Sequence, residues 1–150
     1  MKKVVYIGII SLIAMYGFTT IQQTLEVDKK ALSASCKKKI EPYKYDSQKF
    51  TKINFTKKAQ QLEVEVPVFI GEKYRLVFNT SSLPKPIKIS VYTKDKTTQK
   101  REPIFTSKPG EKEIIFDVPR VRKMYVDYDV PIDSTGSDAS GIVVFMMGYK

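Results

Sequence analysis

The segment LEVEVPVFIGEKYRLVF, residues 62–78, predicts two β-strands joined by a tight turn. Apolar residues at every second position from 62 to 68 alternate with Glu63 and Glu65, which is the pattern of a strand with one face on a core and the other in water. Pro67 has no backbone N–H to donate, so we expect it at a sheet edge or a bulge. After a turn at residues 70–73, the stretch 74–78 predicts the returning strand.

The same period of two continues to the end of the chain. Short apolar-alternating stretches are separated by turn signals such as Pro84, Pro86 and Pro109-Gly110, and no long stretch has a helical period. We therefore predict an all-β fold, an antiparallel β-sandwich of about eight strands with a jelly-roll-like order. The predicted strands cover residues 50–55, 62–68, 74–78, 87–91, 103–106, 114–118, 124–130 and 142–147.

The last predicted strand, residues 142–147, reads IVVFMM and is apolar on both faces. A strand of this kind belongs at the centre of a sheet, or one of its faces must be covered by the tether or by a partner. Two interpretations follow, a central strand covered within the chain and a strand that contributes to an interface.

The N-terminal segment VVYIGIISLIAMYGF, residues 4–18, contains neither charge nor proline and follows Lys2 and Lys3. Such a segment enters a membrane, at least briefly. We predict that it forms an N-terminal hydrophobic helix before the sandwich, and that residues 1–21 are a signal peptide or membrane anchor. Residues 22–46 are predicted to form a polar, lysine-rich tether, with a short helix around residues 29–39. Residues 47–150 are predicted to form the β-sandwich domain.

Three fates of this N-terminal segment are open. Cleavage fits the basic start, although just past the apolar run only Gly17-Phe18-Thr19 has the small residues that a cleavage site needs. Retention as an anchor fits an apolar length of about 18 residues, the low end of a bilayer span. In the third, Cys36 carries a lipid, because small residues precede it; otherwise its thiol is free or pairs with another chain.

Composition excludes several kinds of chemistry. The chain has 150 residues, a formal net charge of +10, one cysteine and no histidine. The absence of histidine excludes Ser-His-Asp and Cys-His catalysis and histidine metal sites. A basic exported domain suits anionic lipid head groups, acidic glycans or an acidic protein partner, or simply has a solvated lysine-rich surface. Export argues against a nucleic-acid partner.

An acidic cluster near the end of the chain is the candidate metal site. Asp127 and Asp129 project from one face of a predicted strand, and Asp133 and Asp138 belong to the polar loop that follows. Ca²⁺ takes about 6–8 oxygen ligands, and the spacing here differs from that of an EF-hand loop. The four residues predict a Ca²⁺ site, with a solvated strand and loop as the alternative. An acid–base pair is not expected, since exposed carboxylates lack the burial that separates their pKa values.

Mixed aromatic and basic residues form a second candidate surface, for glycans or anionic polymers. Tyrosines at alternating strand positions also occur at the edge of a core, so both interpretations stay open. The residues concerned are Tyr43, Lys44 and Tyr45, and Tyr74, Arg75, Tyr92 and Lys94.

Four segments, taken in order, resemble a known type of domain. They are Val66–Leu76, Ile87–Tyr92, Lys123–Val126 and a last strand that begins with Gly141. Their order is similar to that of jelly-roll domains of the pre-peptidase C-terminal type, which are appended to secreted bacterial peptidases. It also resembles uncharacterised exported β-sandwich proteins of Bacteroidota. The resemblance covers residues 53–150 and implies a non-catalytic adhesion or assembly role, without assigning site residues.

Together these patterns predict a non-enzymatic exported protein of the cell envelope. It would act as a binding or structural accessory subunit on the periplasmic side of the inner membrane, held by its N-terminal segment and bound to an envelope protein. A secreted or lipid-anchored form is the alternative location. A module that binds glycan or anionic polymer is the alternative function.

Overall fold

The computed structural model describes residues 28–150, so the predicted signal or anchor, residues 1–21, lies outside the described residues. Within this range the chain forms one helix and eight strands, which confirms the expected strand number and the short helix expected in the tether. Helix α1 is described over residues 28–40. The strands are β1 (Lys44–Asn54), β2 (Gln60–Val66), β3 (Tyr74–Asn79), β4 (Lys88–Tyr92), β5 (Pro103–Thr106), β6 (Glu113–Val118), β7 (Met124–Val130) and β8 (Ser140–Tyr149).

The eight strands form two four-stranded sheets. Sheet A has the order β1-β8-β3-β6, and sheet B has the order β2-β7-β4-β5. Every strand pairing is antiparallel, which confirms the predicted antiparallel β-sandwich. Among these eight strands, only β4 and β5 are consecutive strands of one sheet, so the other loops cross between the sheets and gather at two ends.

We name the two ends by their loops. The groove end carries loops 55–59, 80–87, 107–112 and 131–139, and the tip end carries loops 67–73, 93–102 and 119–123. Among residues 28–150, no helix combines the length and apolar character needed to cross a bilayer.

The core lies between the sheets and is built from alternate apolar side chains. In β2, Leu62, Val64 and Val66 pack against this core, as their spacing predicts. Strand β2 is an edge strand of sheet B, and Pro67 is the first residue beyond its end. The missing N–H of Pro67 therefore interrupts no ladder, in agreement with the predicted edge position.

Two hydroxyl groups are buried within this core. Tyr128 is completely buried on β7, and its hydroxyl faces that of Thr51 on β1 without the geometry of a formed hydrogen bond. Burial raises the pKa of the Tyr128 phenol. Buried hydroxyls without a hydrogen-bond partner reduce the stability of a fold.

Strand β8 lies between β1 and β3 and is covered on both faces. One face of β8 belongs to the core between the sheets, and the other packs under α1. This arrangement confirms the central strand, and the tether supplies the second cover. The small cluster under α1 consists of Cys36, Ile40, Val77, Val144 and Met146.

Polar contacts and one glycine set the position of α1 on sheet A. Ser33 Oγ donates a hydrogen bond to Gln48 Oε1 over 2.7 Å, and Ser35 Oγ donates to Glu113 Oε1 over 2.6 Å. A Cβ atom added at Gly148 would lie 2.6 Å from Cγ1 of Ile40. Glycine at this position is therefore what lets the end of the helix approach β8 so closely.

The only cysteine of the chain, Cys36, lies in this interface. Its thiol is free and buried. Burial, followed by the nearby carboxylate of Glu113, raises the thiol pKa from 9.0 to about 11, against an opposing effect of Lys39. The thiol is therefore protonated near neutral pH and shielded from reagents while the helix is docked.

Strand β1 is longer than its predicted range of 50–55, because it begins at Lys44. Its first half is exposed and shows no apolar alternation. Pairing with β8, which runs from Lys44 opposite Tyr149 to Asn54 opposite Ser140, supplies the order that the side chains do not signal. The strand therefore starts within residues 22–46, which the sequence assigns to the tether.

Candidate functional site

An open groove of about 960 Å³ lies at the groove end of sheet B. All four strands of that sheet and their adjoining loops contribute to it. Proline and aliphatic side chains form much of the wall, and a few polar groups interrupt it. The apolar lining residues are Ala59, Pro86, Ile87, Pro109, Val130 and Pro131, and the polar ones include Gln60, Gln61, Lys88, Ser107, Lys108 and Asp129.

An ion pair lies in the wall of this groove. Lys88 and Asp129 are opposite each other on β4 and β7, with 2.9 Å between Lys88 Nζ and Asp129 Oδ2. This hydrogen bond to Asp129 raises the pKa of Lys88. Gln61, opposite Asp129 on β2, donates to Asp129 Oδ1 over 3.1 Å. The groove thus combines apolar walls with a small set of oriented polar groups, as ligand sites do.

A buried charge network continues from this pair along the outer face of sheet B. Arg101, near the end of loop 93–102, donates from Nη1 to Glu63 Oε2 over 2.7 Å and from Nη2 to Asp127 Oδ2. Its guanidinium also lies 4.0 Å from the centre of the Tyr92 ring. The side chain of Asp127 is completely buried, so the exposed position expected for it is wrong, and its Oδ1 has no partner among the described residues.

Burial raises the pKa of Asp127, and the charges of Glu63 and Asp129 act in the same direction. Arg101 opposes this shift by its charge and its hydrogen bond. The guanidinium therefore has a structural task, since it holds two carboxylates together and fastens the end of loop 93–102 to the sheet.

Asp133 belongs to a separate set of contacts in loop 131–139. Lys85 Nζ lies 2.5 Å from Asp133 Oδ1, and the hydroxyls of Thr135 and Ser137 donate to the same carboxylate over 2.6 and 2.7 Å. The Lys85 cation, followed by these two hydroxyls, lowers the pKa of Asp133. Asp138 lies in the same loop with a positive φ of 48°.

The structure thus divides the four residues of the predicted Ca²⁺ site. Asp127 and Asp129 share Gln61 as a donor, whereas Asp133 is held by Lys85. In the part of the chain from 28 to 150, no three acidic or sulfur-bearing side chains come close enough together to hold a metal ion. Calcium binding by these four residues stays a prediction, which titration calorimetry can test.

The tyrosines of the predicted glycan surface are mostly engaged within the protein. Tyr74 is buried, and its hydroxyl accepts a hydrogen bond from the Phe69 N–H over 2.9 Å. Arg75 lies 4.7 Å from the ring centre of Tyr43, and Arg101 covers Tyr92. Tyr45 is the exposed member of the set, so the described residues do not present these rings as one platform.

Sequence reasoning missed the groove and the role of Arg101. Pro86, Pro109 and Pro131 belong to three different loops, and their common location depends on the strand order. Arg101 is separated by 38 residues from Glu63 and by 26 from Asp127. The sequence does place a proline near one end of each of three strands, which could have indicated the groove. Only the topology shows that these three strand ends are neighbours.

Comparison with protein families finds no family model that matches this chain, and comparison with curated proteins finds no significant relative. The groove and the charge network therefore rest on their own geometry.

Proposed function

We propose that this chain is a non-enzymatic binding module of the cell envelope, which holds an extended segment of a partner protein in the groove of sheet B. The observation that carries the proposal is the groove itself, whose volume of about 960 Å³ falls within the range of ligand sites. Apolar walls provide the main driving force for binding, and the Lys88–Asp129 pair provides orientation.

The composition of the lining favours a protein segment over a sugar. No aromatic side chain is among the lining residues of this groove in the described chain, and stacking on aromatic rings is a common means of holding a sugar. Proline, isoleucine and valine instead suit aliphatic side chains. A module for glycan or anionic polymer is the second candidate, supported by the net charge of +10.

The envelope location rests on the apolar N-terminal segment, retained or cleaved. The role of an accessory subunit is also supported by the fold, because the strand orders β1-β8-β3-β6 and β2-β7-β4-β5 correspond to a jelly roll, an architecture used widely in binding proteins. Fold alone does not determine function, so the groove has to be tested directly.

Site-specific photo-crosslinking of the full chain in its native cell tests the proposal. A photoreactive residue in place of Lys108, in the groove wall, should give one discrete protein adduct. The matched control places the same residue at Lys52, which is exposed on β1 of the other sheet. Lys88→Glu should abolish the adduct at position 108, since it sets two carboxylates against each other in the groove.

Lys88 suits this purpose because its side chain is 57% exposed, so water screens both the lost ion pair, worth about 0.2–1 kcal/mol, and the new repulsion from Asp129. Equal adducts from positions 108 and 52, or none from position 108, would overturn the groove proposal. Retention on peptidoglycan or anionic polysaccharide that weakens with salt would instead favour the second candidate, and no retention at low salt would remove it.

A further inference from the structure

The tip end of the sandwich presents an unusual combination of exposed apolar and basic residues. Loop 67–73 leads from β2 to β3, and loop 119–123 leads from β6 to β7. The strand pairs on both sides are adjacent, since Val66 lies opposite Met124 and Tyr74 lies opposite Val118. The two loops are therefore neighbouring crossovers between the sheets.

The first loop carries two exposed apolar side chains at its tip. Phe69 is 73% exposed and Ile70 is 84% exposed, although Val68 in the same loop packs against the core. The turn is well defined, because the Phe69 N–H donates to the Tyr74 hydroxyl over 2.9 Å and Gly71 takes a positive φ of 103°. The tip is held outward by this turn and is not part of the fold's own core.

Cations surround this apolar tip. The second loop contributes Arg120, Arg122 and Lys123, all exposed, while Val121 between them packs against the core. Lys73 adds a fourth cation beside Glu72, the single acid of the two loops. Within residues 28–150, none of these four cations is in an ion pair with a carboxylate.

We infer that this tip docks onto the surface of an anionic phospholipid bilayer, with Phe69 and Ile70 inserted between the head groups and Arg120, Arg122 and Lys123 on lipid phosphates. Apolar area buried in the interface and cations near an anionic surface are the two contributions that hold peripheral proteins on membranes. Here both contributions come from two adjacent loops of a rigid sandwich.

This surface is separate from the groove, which lies at the opposite end of sheet B. The inference therefore does not depend on the proposed function, and either can fail without the other. The third loop of the tip end, 93–102, is also net positive, because it contains more basic than acidic residues. An envelope protein placed in this way would contact lipid through its tip and leave the groove facing away from that contact.

A single tryptophan reports directly on this docking, because the chain contains none. The full chain carrying Phe69→Trp is mixed with vesicles of phosphatidylcholine, alone or with phosphatidylglycerol. The matched control is Ile132→Trp, an exposed loop position at the groove end. Any membrane binding by residues 1–21 is common to both probes, so the difference between the two probes isolates the tip.

On vesicles containing phosphatidylglycerol, the Phe69→Trp probe should emit at shorter wavelength and be quenched by brominated lipid. The Ile132→Trp probe should keep the emission of a water-exposed ring. Each cation near an anionic surface strengthens docking roughly fivefold, so replacing Arg120, Arg122 and Lys123 by glutamine should weaken it on the order of 100-fold. Raised salt should weaken docking of the parent chain in the same direction.

Three results would overturn the inference. The first is unchanged Phe69→Trp emission on anionic vesicles, with Ile70→Trp giving the same answer as a second probe. The second is an equal shift of the probes at positions 69 and 132, which means that no particular end faces the lipid. The third is docking that persists undiminished in the triple glutamine variant, which removes the role of the cations.

Discussion

Replacement of Ile40 by alanine is expected to release the end of α1 from sheet A and to expose the thiol of Cys36. Ile40 is 3% exposed and belongs to the small apolar cluster under the helix. Its Cγ1 and Cδ1 atoms lie against Gly148, so the truncation leaves a void between the helix and β8.

The magnitude follows from the size of the missing group. Truncation of a buried isoleucine to alanine costs about 2–5 kcal/mol, depending on how far the surroundings collapse. Ile40 lies at the end of a helix near the surface, where collapse is easier, so we expect about 2–3 kcal/mol. At about 1.4 kcal/mol for each factor of ten, the undocked population should rise roughly 30- to 150-fold.

Labelling of the thiol by a chromogenic disulfide reagent measures this population, because Cys36 is the only cysteine. Burial raises the thiol pKa from 9.0 to about 11, so the docked form does not react near neutral pH. A raised pKa also means that docking keeps its full stability below pH 9 and loses stability as the pH rises towards 11. Labelling should therefore accelerate in alkali by more than thiol ionisation alone predicts.

Two further variants make the test specific. Gly148→Ala should accelerate labelling as well, because the added Cβ would lie 2.6 Å from Ile40 Cγ1. Lys38→Ala, on the exposed side of the same helix, should leave the labelling rate unchanged. The reasoning is refuted if Ile40→Ala labels at the parent rate, or if its labelling shows the full urea dependence of global unfolding, since the helix would then not undock separately.

Three other substitutions test the interior and the charge networks. Tyr128→Phe should raise the free energy of unfolding by about 1 kcal/mol, because it removes a buried hydroxyl without a formed hydrogen bond; a lower urea midpoint would show that the hydroxyl is bonded. Arg101→Met should cost about 3–5 kcal/mol at neutral pH, since it leaves Asp127 buried without its cation. Burial already raises the pKa of Asp127, so this loss should shrink as the pH falls and the carboxyl is protonated, and a pH-independent loss would contradict the assignment. Asp133→Asn should lower the thermal midpoint at neutral pH and flatten its decline in acid, because Lys85 holds the pKa of Asp133 below its ordinary 3.8, and stability from such a group is lost as the pH falls through that lowered value; parallel acid profiles would exclude this role.

Much of the sandwich is predictable from local pattern. The alternation in residues 62–66 identifies β2 and its inner face, and the two-faced apolar run at 142–147 identifies a central strand. Both predictions are confirmed, because a half-buried strand needs one apolar residue in two and a fully covered strand needs nearly all of them. The first half of β1 shows the limit of this method, since its order comes from β8 and not from its own side chains.

The candidate site was less accessible from sequence. Strand alternation places Asp127 and Asp129 on one face, but it does not identify their neighbours, because Arg101 and Lys88 come from other parts of the chain. Strand register decides that Lys88 and Gln61 lie on either side of Asp129. The tertiary contacts also place Asp127 and Asp129 beside Arg101 and Lys88, and Asp133 beside Lys85, pairings that no local pattern reveals.

The sequence by itself determined the class of the fold, the identity of most strands and the faces that they bury. These properties depend on the spacing of apolar residues along a few positions, and that spacing is local. Only the tertiary structure decided which charged side chains pair and that prolines from three loops line one groove. It also decided that the loop of Phe69 and Ile70 adjoins the loop of Arg120 and Arg122. These properties depend on loops that lie far apart in the chain and are brought together by the strand order. A local sequence pattern does not encode which distant loops become neighbours.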